Sequence, residues 1–224
     1  MTLKKKLLLL AAMTVLLFLS GCLNYTQVTT LKTDGSGSMF VHYWTELDNP
    51  EDSLFINRLG IFNADSIRKE FLSDYLTIDE IEVYRDFRDS TIHAKVELTF
   101  AHFDSLNLSP VFRASKFSIL NGPEETKIFS QFIMPFATGF GINREEFKVR
   151  YIYYLPGEIL EHNAVDVSRN KLTWEYNLEE IGSGKTITAV YRPFLLKETP
   201  KWIYLLCLLV LLIVITFLLK KRKA

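Results

Sequence analysis

The chain has 224 residues, 48% of them hydrophobic, with 26 basic and 26 acidic side chains and a formal net charge of zero. The balance is uneven: segments 1–21 and 201–224 hold eight of the basic residues and no acid, leaving 22–200 with 18 basic against 26 acidic residues, a net of −8. An acidic middle excludes nucleic-acid binding, which needs a basic stripe to displace counterions, and broad electrostatic docking on anionic headgroups.

The first elements belong to export. Lys4, Lys5 and Lys6 form a basic start, Leu7 to Leu19 an apolar run, and Leu19-Ser20-Gly21-Cys22 closes it, which is the layout of a secretory signal over 1–21. The last four residues match the lipobox of bacterial lipoproteins, L-[AS]-[GA]-C, at every position. That resemblance implies diacylglyceryl transfer to the Cys22 thiol and cleavage before it. The plainer alternative is an uncleaved N-terminal anchor.

Residues 22–199 read as one extracytoplasmic domain dominated by period-two alternation. Tyr25–Lys32 and Ser38–Leu47 flank Thr33-Asp34-Gly35-Ser36-Gly37, whose glycines suit a tight reversal. Asp65–Leu76 spaces Ile67, Phe71 and Tyr75 as one helical face, with Asn63 or Asp65 as its cap. Residues 78–103 read as a hairpin turning at Arg88-Asp89-Ser90, with Ile92, Ala94, Val96, Leu98 and Phe100 inward and His93, Lys95, Glu97 and Thr99 outward. A short helical turn is expected near Asp104–Phe112 and a third hairpin over 117–134. Phe147 to Leu155, Leu172 to Leu178 and Thr186 to Arg192 read as strands. The fold class expected is α+β, mainly β: antiparallel sheets of hairpins with one or two helices.

The chain closes with Trp202 to Leu219, eighteen residues without charge, followed by Lys220-Lys221-Arg222-Lys223-Ala224. At about 1.5 Å per residue such a helix spans roughly 27 Å, close to a bilayer's hydrocarbon core. Trp202 and Tyr204 suit the interfacial belt, and the basic tail 220–224 belongs on the cytoplasmic side. The expected address is the cytoplasmic (inner) membrane, with the domain facing the periplasm or cell exterior.

Chemistry-bearing patterns are sparse. The cysteines, Cys22 and Cys207, both lie in end segments, so the domain has no disulfide framework or zinc cluster. His42, His93, His102 and His162 show no metal-ligand spacing; His93 reads as solvated, and His102, on the inward face at its strand's end, is the more interesting. Ile181-Gly182-Ser183-Gly184-Lys185-Thr186 ends like a phosphate-binding loop but lacks the earlier glycine and the following helix. No cofactor, metal or catalytic residue is expected. Ile128–Ile142, IFSQFIMPFATGFGI, is uncharged and Phe-rich. It reads first as a buried edge strand and turn, and alternatively as a surface touching lipid through Phe132, Met134, Phe136 and Phe140.

The lipobox, β-rich middle and single C-terminal helix together resemble the LppM-type bacterial lipoproteins. Tyr154-Leu155-Pro156-Gly157-Glu158-Ile159, then Asn163 to Val167 and Leu172-Thr173-Trp174, is similar to a strand ending in Pro-Gly, a turn and a Trp-bearing strand. The resemblance implies a non-catalytic envelope domain with an apolar pocket and carries over no active-site residue. The function expected is a membrane-anchored lipoprotein binding or scaffolding a lipid or an envelope partner. The alternatives are a hydrolase-like envelope enzyme and an accessory subunit of a membrane complex.

Overall fold

The structure is a computed structural model that describes residues 23–47, 60–135, 147–194 and 203–212. It divides into two units, Met1–Phe194 and Leu195–Ala224. In the first, alternation becomes strands because each strand has one face to bury. β1 (Leu23–Leu31) and β2 (Gly37–Glu46) form the expected hairpin. Its turn closes by Lys32 donating to the Ser36 carbonyl, with Gly35 at φ +85° and the Asp34 carboxylate accepting from the Ser36 amide and hydroxyl.

Helix α1 (Ala64–Phe71) starts where the Asn63 side chain accepts from the Ser66 amide, and it buries Ile67 and Phe71. It is shorter than the 65–76 spacing predicts. The backbone turns extended at Leu72, so Tyr75 leaves the helical face and lies exposed.

β3 (Leu76–Asp86) and β4 (Thr91–Phe100) form the second hairpin. The inward face of β4 is the one its alternation predicts. In β3 the register shifts between Ile78 and Glu80, and this bulge at Asp79 lets Ile78 and Ile81, three apart, both pack on the core. A 3-10 turn (Asp104–Leu108) follows, then the hairpin β5 (Ser118–Asn121) and β6 (Lys127–Ile133). The remaining elements are β7 (Lys148–Tyr154), β8 (Gly157–His162), β9 (Asp166–Ser168), β10 (Lys171–Asn177), the one-turn α2 (Leu178–Ile181) and β11 (Lys185–Pro193). The sequence reading did not anticipate β8, β9 or α2.

The strands make two sheets, ordered β3-β4-β2-β1-β7-β10-β9 and β5-β6-β11-β8. The larger is mixed, not purely antiparallel as expected, because β1 runs parallel to β7. Alternation specifies which face a strand buries and is silent on its neighbour's direction. At Leu155-Pro156 the chain passes from the large sheet into β8 of the small one. The inner faces enclose a core in which Phe129 of β6 meets Tyr153 of β7 at 4.5 Å and Trp174 of β10 at 6.1 Å between ring centroids.

In the second unit, residues 203–212 are helical. Among the described residues no helix is long and apolar enough to cross a membrane. Residue 202 and residues 213–219 of the predicted span lie outside those described, as does the basic tail.

Candidate functional site

The sequence-predicted contact residues separate. Cys22, Phe136 and Phe140 lie outside the described residues. The first half of the Phe-rich stretch is β6, whose Phe129 and Ile133 are buried core. Phe132 is half-buried on the other face, beneath the Lys116 ammonium at 5.2 Å. Met134, just past the strand, is 42% exposed. This stretch is therefore mainly a core strand as far as Ile133, and Met134 is its described outlier.

The inter-sheet space is occupied by side chains. Between Phe103, Phe129, Tyr153 and Trp174, ring centroids are 4.5 to 6.2 Å apart. Through them runs a buried polar line. The Tyr153 hydroxyl donates to Gln131 Oε1 at 2.5 Å and accepts from Gln27 Nε2 at 2.9 Å, while Gln27 Nε2 also donates to Thr29 Oγ1 at 3.1 Å. Burial pushes the Tyr153 phenol far above its ordinary range, and Tyr25 and Tyr151 likewise, so each stays neutral. The pocket implied by the family resemblance would have to displace these rings.

A second cluster, missed in the sequence, lies on the outer face of the large sheet. Register brings Tyr84, His93 and Trp44 into one row across β3, β4 and β2, and Glu82, Lys95 and His42 into the next. Tyr84 stacks on His93 at 4.8 Å and 9°, and Trp44 approaches it at 5.8 Å. Lys95 pairs with Glu82 at 2.9 Å and lies over the Tyr84 ring at 4.6 Å. The sequence signal was that His93 occupies an outward strand position and His42 falls within the strand Ser38–Leu47; nothing local aligned them.

Hydrogen-bond direction places a proton on His93 Nε2. Thr91 Oγ1 donates to Asp89 Oδ1 at 2.6 Å, because a carboxylate only accepts. Thr91 Oγ1 therefore accepts from His93 Nε2 at 2.8 Å. In the neutral ring His93 Nδ1 is then the acceptor and faces His42 Nε2 at 3.0 Å, which donates. The neutral forms that this arrangement uses are the ones favoured by the lowered pKa values of both rings. Partial burial lowers both pKa values, His93 and Lys95 adding to the effect at His42, and Lys95 at His93 against the opposing pull of Asp89, Asp86 and Glu82. The other two histidines are remote from this line. His102 lies past the end of β4 and is exposed, not inward-facing, its carbonyl accepting from the Ser105 hydroxyl at 2.6 Å. His162 is exposed and accepts from the Ala164 amide at 3.2 Å.

No protein-family model matches the chain, and no curated protein matches it. Among solved structures the chain is similar to the folded domain of LppM from Mycobacterium tuberculosis, determined by NMR. That similarity is at 13% identity over 80% of this chain and 95% of that one, with a TM-score of 0.48.

Proposed function

We propose that this is an envelope lipoprotein whose β domain works by binding, held at the cytoplasmic membrane by an acylated Cys22 and by a spanning helix over 202–219. The domain faces the periplasm or cell exterior. Its mechanism is positional: tethering raises the effective concentration of partners at the same membrane. The contact surface proposed is the outer face of β3-β4-β2, where Tyr84, His93 and Trp44 form a half-buried aromatic and imidazole row with His42 in the next. That row is the observation that carries the reading, since aromatic rings edged by polar groups are enriched where proteins meet partners.

The Asp89–Thr91–His93–His42 line is what favours the enzyme alternative, and its direction argues against it. For His93 to act as general base on Thr91 its nitrogen would have to accept from the hydroxyl, whereas here the Thr91 hydroxyl donates its hydrogen bond to Asp89 and accepts one from His93. Native mass spectrometry of the detergent-extracted full chain tests the binding reading. The expected result is a retained lipid or protein mass that is lost on Trp44→Ser with Tyr84→Ser. A retained mass unchanged in that variant would overturn the assignment of this face.

A further inference from the structure

We propose that the His42–His93 contact is an acid-sensitive latch on the outer face of the large sheet, which keeps its hydrogen bond when the pair takes up one proton and opens when it takes up a second. The latch belongs to the sheet itself and does not rest on that face having a partner. Its geometry is in line. His42 Nε2 and His93 Nδ1 are 3.0 Å apart, while the ring centroids are 5.3 Å apart and the planes 22° from parallel. The two nitrogens therefore lie between the centroids, and the rings meet edge to edge across one shared proton.

The two steps differ because of where protons can go. The neutral pair has four ring nitrogens and two ring protons. One is on His93 Nε2, donated to Thr91 Oγ1, and the other lies in the contact, donated by His42 Nε2. A first added proton lands on His42 Nδ1, outside the contact. If the contact proton then shifts across to His93 Nδ1, the charge changes rings and the bond stays, charge-assisted in either form. With a second added proton all four nitrogens carry hydrogen, and two donors face each other at 3.0 Å. No acceptor remains, so the contact opens. His93 is held by Thr91, by Tyr84 stacked on it at 4.8 Å and by Trp44 at 5.8 Å. His42, whose other ring contact is Phe40 at 6.1 Å, is the side that turns away.

The surrounding charges support the same asymmetry. Among the described residues, Lys95 of β4, Glu82 and Asp86 of β3 and Asp89 of the β3–β4 turn face the pair, and Lys95 is paired with Glu82. Glu46 of β2 is level with Thr91, and Glu80 and Glu97 lie one row beyond Lys95. On the other side β1 presents the uncharged Asn24 and Thr26; beyond them come Lys148 and Arg150 of β7, the latter paired with Glu175 of β10 at 2.6 Å. One added charge meets a surplus of carboxylates. A second also meets the first, across a 3.0 Å contact.

The test uses the full detergent-extracted chain, isotope-labelled in histidine and titrated by NMR from neutral to acid pH. The pair is expected to take up its protons in two steps at least about tenfold apart in proton concentration. The hydrogen-bonded ring proton between His42 and His93 is expected to persist through the first step and to vanish with the second. His42→Gln, whose amide replaces the donor, should leave a single step and so identifies the pair. The wild-type titration decides the matter whether or not that variant folds: two coincident steps, or a ring proton lost with the first, overturn the latch.

Discussion

Replacing Tyr153 by Phe removes one oxygen from the middle of the core and nothing else. The ring keeps its packing against Phe129, Trp174 and Phe103. What changes is that Gln131 Oε1, on a residue 2% exposed, loses its 2.5 Å donor, and Gln27 Nε2 loses one of two acceptors. An orphaned buried polar group costs about 1–3 kcal/mol, and Gln27 retains Thr29, so the expected loss is about 2–4 kcal/mol. Against a typical domain stability of roughly 5–15 kcal/mol, that is a large fraction. Urea unfolding followed by tryptophan fluorescence should show a lower midpoint with an unchanged slope. Pairing Tyr153→Phe with Gln131→Leu should recover part of the loss, because the acceptor that needed the proton is gone. A Tyr153→Phe midpoint matching the wild type would refute the claim that this line is load-sharing between the sheets.

Three further outcomes follow from named contacts. His42 and His93 have folded pKa values below the ordinary 6.5, so the folded domain binds fewer protons than the unfolded chain. Stability is then full above about pH 6.5 and falls as pH drops below it. Urea midpoints at pH 7.5 and pH 5 should differ less in a His42→Gln, His93→Gln variant than in the wild type. Asn163 accepts from Trp174 Nε1 and the Thr188 amide, both at 2.8 Å, and donates to the Thr186 carbonyl, joining the two sheets. Asn163→Ala should cost about 1–3 kcal/mol and alter the near-UV circular dichroism of Trp174. The buried Ser109 hydroxyl has no hydrogen-bond partner among the described residues, so Ser109→Ala should leave the urea midpoint unchanged or raise it.

Which parts of the fold were legible follows from where the determining forces lie. The β4 alternation from Ile92 to Phe100 is local and strong, because every second side chain is buried, and it predicted the correct face. The Asp34-Gly35 turn was equally legible, since a positive φ demands glycine there. The helix end was not, because the 67, 71, 75 spacing persists in sequence after the backbone has turned at Leu72. The parallel pairing of β1 with β7 joins segments more than a hundred residues apart, and no local pattern encodes it. The same holds for the His42–His93 contact: His93 reads as a solvated strand position, His42 simply falls within another strand, and only the β2–β4 register makes them partners. In the Phe-rich stretch the buried strand read from its composition is present as β6, but β6 lies between β5 and β11 and is not an edge, since strand order is not carried by local composition.

The central claim is a partition, with the β domain outside the cytoplasmic membrane and the basic tail within. Thiol labelling of right-side-out spheroplasts by a membrane-impermeant maleimide tests it directly, using Asp34→Cys and Ala224→Cys in a Cys207→Ser background. The account predicts labelling at 34 in intact spheroplasts and labelling at 224 only after permeabilisation. Labelling at 224 but not 34 in intact spheroplasts, or protection of both, would contradict it.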